Sequence, residues 1–161
     1  MRKLWIAAAA AFGVDQLSKV VVVHAMNLKE VLVIPVAPPY LTFRMGWNEG
    51  INFGLLSGAG AKWALIALAL AICGALLWWA RGFSRPAALA SAGLVVGGAL
   101  ANVLDRLLYG AVADFLNMSC CGIDNPFAFN LADVFIFAGA AGLVLWSEEA
   151  KGKGDAGRKT G

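Results

Sequence analysis

The sequence predicts an α-helical membrane protein with four transmembrane helices and a small sheet outside the cytoplasm. Three observations lead to this fold class. The chain is 60% hydrophobic and only 14% charged, whereas a soluble domain is roughly half apolar and a quarter charged. Four apolar runs each come close to the ~20 residues that a helix needs to cross a bilayer. A long loop with strand composition separates the first two runs.

The four apolar runs are the predicted spans. In chain order they cover Leu4–Val23, Trp63–Ala80, Ala87–Leu108 and Leu131–Trp146. They are expected to be helices, because a spanning segment must satisfy its own backbone hydrogen bonds. The first run begins like a secretory signal, with basic residues and then alanines. It continues past Asp15 and Lys19, so we interpret it as a retained span.

Basic residues give the bundle an orientation. Eight of them lie on one side of the predicted spans: Arg2, Lys3, Arg81, Arg85, Lys151, Lys153, Arg158 and Lys159. The positive-inside rule places this side, with both termini, in the cytoplasm. We therefore expect a multi-pass membrane protein with a single domain at 1–150. A Gly- and Lys-rich cytoplasmic tail at 151–161 is expected to be disordered.

Both loops on the opposite side of the membrane carry predicted structure. In the first loop, Val31–Ile34 and Tyr40–Phe43 have strand composition and are separated by prolines, which predicts a sheet on the membrane surface. In the second loop, at 109–129, we expect a short helix followed by a break at Asn125 and Pro126.

Two aspartates lie at the same predicted end of two spans. Asp114 follows the third span, and Asp133 is close to the start of the fourth. A carboxylate at the edge of the hydrocarbon is costly and marks a candidate functional site. Two carboxylates that come together share a proton, so that one activates water while the other protonates a leaving amine. The alternative interpretation is two helix-end residues that face water.

The third span carries a polar face. Gly98, Asn102 and Arg106 recur every four residues, so they share one side of a helix. We expect this side to point into the bundle, where Asn102 and Arg106 hold a backbone or a carboxylate. The other interpretation is that the charged side chains of this span snorkel, which means that they extend to the membrane interface. Asp105 lies beside Arg106 in sequence but on a different side of the helix.

Two further spacings involve polar residues at the spans. Asp15 and Lys19 are four residues apart on the first span, a spacing that favours an ion pair on one helix face. This pair either ties the helix to its neighbours or lines a polar site. Asn130 stands three residues before Asp133, which is the N-cap to N3 spacing and predicts Asp133 in the first turn of the fourth span.

Other chemistries have little support. His24 is the single histidine, so no Ser–His–Asp or Cys–His arrangement is predicted. Three cysteines without ligand spacing argue against zinc, and we expect no metal and no cofactor. A net charge of +3 does not indicate a nucleic-acid partner. Cys120 and Cys121 have either a purely local role or, in an oxidising compartment, form a disulfide.

At these residues the chain resembles lipoprotein signal peptidase, the signal peptidase II family of bacteria. Five motifs carry the resemblance in family order: Asp15–Lys19, Trp47–Gly54, Gly98–Arg106, Gly110–Phe115 and Phe129–Asp133. The resemblance implies four transmembrane helices and an extracytoplasmic β-cradle from the first outer loop, about 28–58. It implies an aspartic endopeptidase of the inner membrane that cuts diacylglyceryl-modified prolipoproteins just before the lipidated cysteine.

The resemblance also implies roles for individual residues. Asp114 and Asp133 match the catalytic dyad, which would lie near the periplasmic face. Supporting or substrate-lining positions of the family match Asp15, Lys19, Asn48, Gly98, Asn102, Asp105, Arg106, Asn130 and Ala132. The family is inhibited by the cyclic peptide globomycin. Membrane lipid is the expected surrounding, and we expect a monomer. Asn52 and the stretch 117–122 depart from the family pattern.

Two other functions stay open at this point. Charges at Asp15, Lys19, Asp105 and Arg106 also fit an ion relay in a small transporter or proton channel. Four spans leave little room for such a pathway, and we find no inverted repeat. The other function is a membrane chaperone that only binds lipoprotein precursors, for which Asp→Asn changes would have mild effects.

Overall fold

The computed structural model describes residues 1–50 and 59–147. Its helices and strands are, in chain order, α1 (Arg2–Lys19), α2 (Leu28–Val31), β1 (Val33–Ala37), β2 (Leu41–Asn48), α3 (Ala59–Trp79), α4 (Pro86–Tyr109), β3 (Val112–Met118) and α5 (Leu131–Trp146). α1 continues as a π-helical segment, Val20–Ala25, and α3 ends in a 3-10 turn, Ala80–Gly82. The end of the predicted cradle, with Asn52, and the tail at 151–161 lie outside the described residues.

The predicted spans correspond to α1, α3, α4 and α5. Among the described residues, three helices are long and apolar enough to cross a membrane: Arg2–Ala25, Gly60–Gly82 and Pro86–Tyr109. α5 is equally apolar but has 16 residues, fewer than the ~20 of a typical span. Several apolar helices are therefore confirmed, while a bundle of four spans and its orientation stay predictions.

α4 is the central helix of the bundle. It packs closely against α1 and α5, and more lightly against α3. A Cβ atom at Gly97 would collide with the backbone of Ala8 in α1, and one at Gly98 would lie 2.6 Å from the carbonyl oxygen of Ala132 in α5. Small residues allow this close approach in lipid. Gly98 therefore sets the distance between α4 and the start of α5.

The three strands form one antiparallel sheet in the order β1–β2–β3. β2 pairs with β3 so that Gly46 lies opposite Asp114 and Asn48 lies opposite Val112. Phe115 is buried against Val23, in the π-helical segment that follows α1. Because successive side chains of a strand point to opposite faces, a buried Phe115 directs its neighbour Asp114 to the other side of the sheet.

The second outer loop differs from the prediction. We expected a short helix at 109–129, but this segment contains β3 instead, and the short helix of the described chain is α2 in the first outer loop. The expectation is wrong because pairing with β2 and burial of Val112 and Phe115 decide the conformation, and strand formation depends strongly on such context. The sheet therefore combines both outer loops.

Candidate active site

A capping box holds Asp133 in the first turn of α5. The Oδ1 atom of Asn130 accepts a hydrogen bond from the backbone N–H of Asp133 at 3.0 Å, and Oδ2 of Asp133 accepts one from the backbone N–H of Asn130 at 3.3 Å. The predicted N-cap to N3 relation is confirmed. Asn102 of α4 donates a third hydrogen bond, from Nδ2 to Oδ1 of Asp133, at 3.0 Å. Donors therefore face both carboxylate oxygens.

Asp114 lies in β3 and is 4% exposed. Asn130 Nδ2 donates to its Oδ1 at 2.6 Å, and Asn48 Nδ2 donates to its Oδ2 at 3.0 Å. Burial away from water is the main cause that raises the pKa of Asp114 to about 6, and the negative charge of Asp133 adds to it. The hydrogen bonds from Asn48 and Asn130 act in the opposite direction. The carboxyl group therefore exchanges its proton close to neutral pH.

Asn130 connects the two aspartates. Its side chain donates to Asp114 and accepts from the backbone of Asp133. The two carboxylates are close enough for the charge of Asp133 to act on the pKa of Asp114. The residues are 19 apart in sequence, so β3 and the start of α5 must meet to bring them together. This arrangement suits general acid–base chemistry by a carboxyl pair.

Two cavities open beside the aspartates. A cavity of about 310 Å³ lies between the sheet and the second outer loop, and Asn48, Asp114 and Phe127 line it. A second cavity, of about 520 Å³, is lined by Phe129, Asp133, Val134, Phe137 and Ala138. Apart from Asp133, the residues of this second cavity are apolar. One aspartate thus faces a partly polar space and the other faces an apolar one.

A buried ion cluster lies next to this pair. The Nζ atom of Lys19 is 2.7 Å from Oδ2 of Asp15 and 2.7 Å from Oδ2 of Asp105, and all three residues are buried. The predicted pairing of Asp15 with Lys19 is confirmed, and Asp105 extends it to α4. Gln16 donates from Nε2 to Asp105 Oδ1 at 3.0 Å and to Asp15 Oδ2 at 3.3 Å.

The ion cluster also holds the backbone of both aspartate segments. Oδ1 of Asp15 accepts from the N–H of Ala132 at 2.8 Å, and Oδ2 of Asp105 accepts from the N–H of Ala113 at 3.1 Å. Ala132 and Ala113 directly precede Asp133 and Asp114. Each acid of the cluster therefore fixes the backbone beside one member of the aspartate pair.

The polar face of α4 points into the bundle, as expected. Asn102 accepts from Lys19 Nζ at 3.5 Å while it donates to Asp133. Arg106 Nη1 donates to the carbonyl oxygen of Asn102 at 3.3 Å, and the charges of Asp114 and Asp133 act on its guanidinium group. Among the described residues, Arg106 forms no ion pair with either carboxylate, and its buried Nε atom has no hydrogen-bond partner.

The remaining predicted positions act by packing or through the backbone. Gly98 allows the close contact of α4 with α5, and Ala132 contributes its N–H to Asp15. Gln16 was not among the predicted site residues, yet its side chain bonds both acids of the ion cluster. Its position within an apolar span was the available signal, because a membrane-embedded amide needs polar partners.

Comparison with known proteins places this geometry in a family. The model of the family described as Signal peptidase (SPase) II matches residues 7–148. The lipoprotein signal peptidase of Methylorubrum extorquens (strain PA1) is 39% identical over 143 residues, which cover 87% of this chain and 82% of the relative. That of Aeromonas hydrophila subsp. hydrophila is 41% identical over 150 residues, which cover 90% and 87%.

Solved structures agree in fold. Two structures of a bacterial membrane enzyme, determined in meso at 2.3 and 1.9 Å resolution, are similar to this chain with TM-scores of 0.74 and 0.78. They cover 95% and 93% of this chain and 95% of their own chains, at 24% identity. At this identity they support the fold alone. From the family match and the two relatives, the chain belongs to the signal peptidase II family.

Proposed function

We propose that this chain is a membrane-embedded aspartic endopeptidase that removes the signal peptide from diacylglyceryl-modified prolipoproteins and cuts just before the lipidated cysteine. Its membership of the signal peptidase II family supports removal of signal peptides from prolipoproteins. The observation that carries the aspartic mechanism is the pairing of Asp114 and Asp133 around Asn130. In this mechanism the two carboxyl groups do the chemistry, and no metal or cofactor takes part.

Asp133 is the base of the proposed reaction, and Asp114 is the acid. The oxygens of Asp133 accept hydrogen bonds from Asn102 Nδ2 and from the backbone N–H of Asn130 at the start of α5, which suits a group that receives a proton. Burial raises the pKa of Asp114 to about 6, so Asp114 keeps its proton to a higher pH than a free aspartate does. Ionised Asp133 takes a proton from water as the oxygen attacks the scissile carbonyl. Asp114 donates a hydrogen bond to that carbonyl, and a carboxyl group then protonates the leaving amine of cysteine.

Arg106 is placed to stabilise the transition state. The attacked carbonyl oxygen becomes negatively charged, and fixed positive groups beside it lower the barrier most effectively in a water-poor site. The charges of both aspartates act on the guanidinium group of Arg106, and its Nε atom has no partner among the described residues. We therefore assign Arg106 to the oxyanion, while Asn102 orients Asp133.

The two cavities fit the two parts of such a substrate. The apolar cavity along Val134 and Phe137 of α5 would receive the apolar part of the precursor, which stays in contact with membrane lipid. The cavity beside Asn48 and Asp114 would receive the peptide around the scissile bond. The bond to be cut then lies between the cavities, next to both aspartates.

The location that we propose is the bacterial inner membrane. Both termini lie in the cytoplasm, the protein spans the inner membrane as a monomer, and the site opens near the periplasmic face. The excess of basic residues on the side of both termini supports this orientation. Globomycin would inhibit by occupying the same site.

A transporter or channel is not supported. The family match favours a peptidase. The charges that suggested an ion relay, at Asp15, Lys19 and Asp105, bond to one another.

The test is cleavage of a diacylated precursor peptide by purified protein, with and without globomycin. Asp114→Asn and Asp133→Asn are each expected to reduce turnover by about 10⁴-fold or more, as is typical of removing one member of a catalytic set. Both variants should insert and fold with a somewhat lower melting temperature, because the new amide N–H₂ group faces a hydrogen-bond donor where a carboxylate oxygen accepted one. The matched control is Asp124→Asn, an exposed aspartate of the same outer loop, which should cleave normally.

Full processing by either dyad variant would refute the aspartic mechanism. Mild effects of both substitutions, with precursor binding retained, would instead favour the chaperone function. Loss of cleavage in Asp124→Asn as well would show that the assay measures the general state of the loop rather than the dyad.

A further inference from the structure

Two adjacent thiols lie at the tip of the second outer loop. Cys120 and Cys121 are exposed and unbonded, with their Sγ atoms 2.7 Å apart. They belong to a tight turn in which the carbonyl oxygen of Cys120 accepts from the N–H of Ile123 at 2.9 Å. Cys121 has a φ of 61° and Gly122 a φ of 80°. Positive φ is uncommon for a residue with a side chain, and here this turn holds two sulfur atoms side by side.

We propose that Cys120 and Cys121 form a reversible redox site, which a disulfide oxidant converts into a disulfide between the two adjacent residues. One thiolate attacks a sulfur of the oxidant and releases one thiol, which leaves a mixed disulfide on the loop. The second cysteine then attacks the first sulfur, closes the Cys120–Cys121 bond and releases a second thiol. The two cysteines lose two electrons and two protons in total, and the oxidant becomes two thiols.

Either cysteine can begin the reaction, because either sulfur atom can be the donor of the hydrogen bond between them. The cysteine that has lost its proton attacks first, since the thiolate is the nucleophilic form, and the other closes the ring.

Adjacency makes the bond easy to reverse. Neighbouring Cα atoms are about 3.8 Å apart, whereas bonded cysteines usually have Cα atoms about 4.4–6.8 Å apart. A disulfide between neighbours is therefore strained, and strained or exposed disulfides are readily reduced. Such a site suits a switch better than a permanent cross-link.

The loop connects this site to the cavity beside Asp114. Asn117 Nδ2 donates to the carbonyl oxygens of Asn125 and Phe127 at 2.7 and 2.8 Å, and Asn125 N–H donates to Ser119 Oγ at 3.1 Å. Phe127 lines that cavity. Because Ser119 directly precedes Cys120, closing the ring displaces Ser119 and loosens Asn125 and Phe127. Oxidation should therefore weaken substrate binding, an effect that rests on the proposed peptidase function.

The experiment uses the purified full chain, oxidised glutathione as the oxidant and dithiothreitol as the reductant. Intact mass should fall by two hydrogen atoms on oxidation and recover on reduction. The KM for a diacylated precursor should rise several-fold in the oxidised form, with kcat nearly unchanged. The double variant Cys120→Ser, Cys121→Ser should lose both responses and keep basal activity. Cys73→Ala removes the buried cysteine of α3 and should keep both.

Two outcomes would overturn the inference. The first is oxidation that stops at a glutathione adduct or at a dimer linked between chains, because the two sulfurs would then not react with each other. The second is ring closure without a change in KM, which would remove the connection to the cavity. The mass measurement needs no peptidase activity, so failure of the proposed function and failure of the thiol chemistry are separate results.

Discussion

Two pairs of aspartates lie side by side in this fold, and their neighbours differ in one respect. Asp15 and Asp105 share the ammonium group of Lys19. Asp114 and Asp133 share the amide of Asn130, which carries no charge. A cation between two carboxylates stabilises both ionised forms, whereas a neutral amide holds them in place without removing their repulsion. We therefore propose a structural role for the first pair and a catalytic role for the second.

The first pair also supports the second. Asp15 and Asp105 accept hydrogen bonds from the backbone at Ala132 and Ala113, which precede Asp133 and Asp114. A reactive pair must be held within a fraction of an ångström of its working geometry, which requires support from neighbouring groups. The pair that shares Lys19 provides this support, so substitutions in the two pairs should have different consequences.

The largest expected effect on stability is that of Lys19→Met. It leaves Asp15 and Asp105 buried without their cation, and breaking a buried ion pair from one side costs about 3–5 kcal/mol. We expect a much lower melting temperature in detergent and little folded protein in the membrane. The control is Lys29→Met, which removes an exposed lysine of the first outer loop and should melt like the wild type. Wild-type melting of Lys19→Met would contradict the structural role of the first pair.

A smaller effect on stability is expected from Gly98→Ala, which changes the distance between α4 and the start of α5. The new Cβ atom would lie 2.6 Å from the carbonyl oxygen of Ala132 and push the start of α5 away from α4. Overpacking of this kind costs about 1–3 kcal/mol. Misplacement of a catalytic group by about 1 Å reduces catalysis by up to about 10²-fold. We therefore expect a large loss of kcat/KM with only a moderate loss of melting temperature.

Gly74→Ala is the matched control for this substitution. Gly74 lies in α3, and a Cβ atom there has no neighbour within 4 Å. Alanine should therefore be neutral or slightly stabilising in this helix. Equal losses of activity in the two variants would contradict the proposed contact between α4 and α5.

Much of the fold follows from local sequence. Long apolar runs predict α1, α3, α4 and α5, and the spacing of Asn130 and Asp133 predicts the start of α5 within a residue. Such features depend on residues a few positions apart. The ion pair of Asp15 with Lys19 has the same local origin, since both residues share one helix face.

The rest depends on contacts distant in sequence. β3 forms because β2 pairs with it, and no pattern within the second outer loop distinguishes it from a short helix. Likewise, the Asp105 contact of Lys19 and the bonds of Gln16 join α1 to α4, which periodicity alone does not align. The meeting of Asp114 and Asp133 was a topological inference, and the assignment of their roles stays a proposal.

The smallest effect is expected from Asn48→Ala, and its pH profile distinguishes whether Asp114 is the acid or the base. Asn48→Ala removes a hydrogen bond that lowers the pKa of Asp114, so the pKa should rise above its present value of about 6. If Asp114 is the acid, activity falls as it ionises, and the alkaline limb of the kcat/KM profile should move to higher pH. If Asp114 is instead the base, activity falls as it is protonated, and the acidic limb should move to higher pH. The measurement is the pH profile beside those of the wild type and Asp124→Asn. Since each role predicts movement of a different limb, an unchanged profile would contradict the participation of Asp114 in either role.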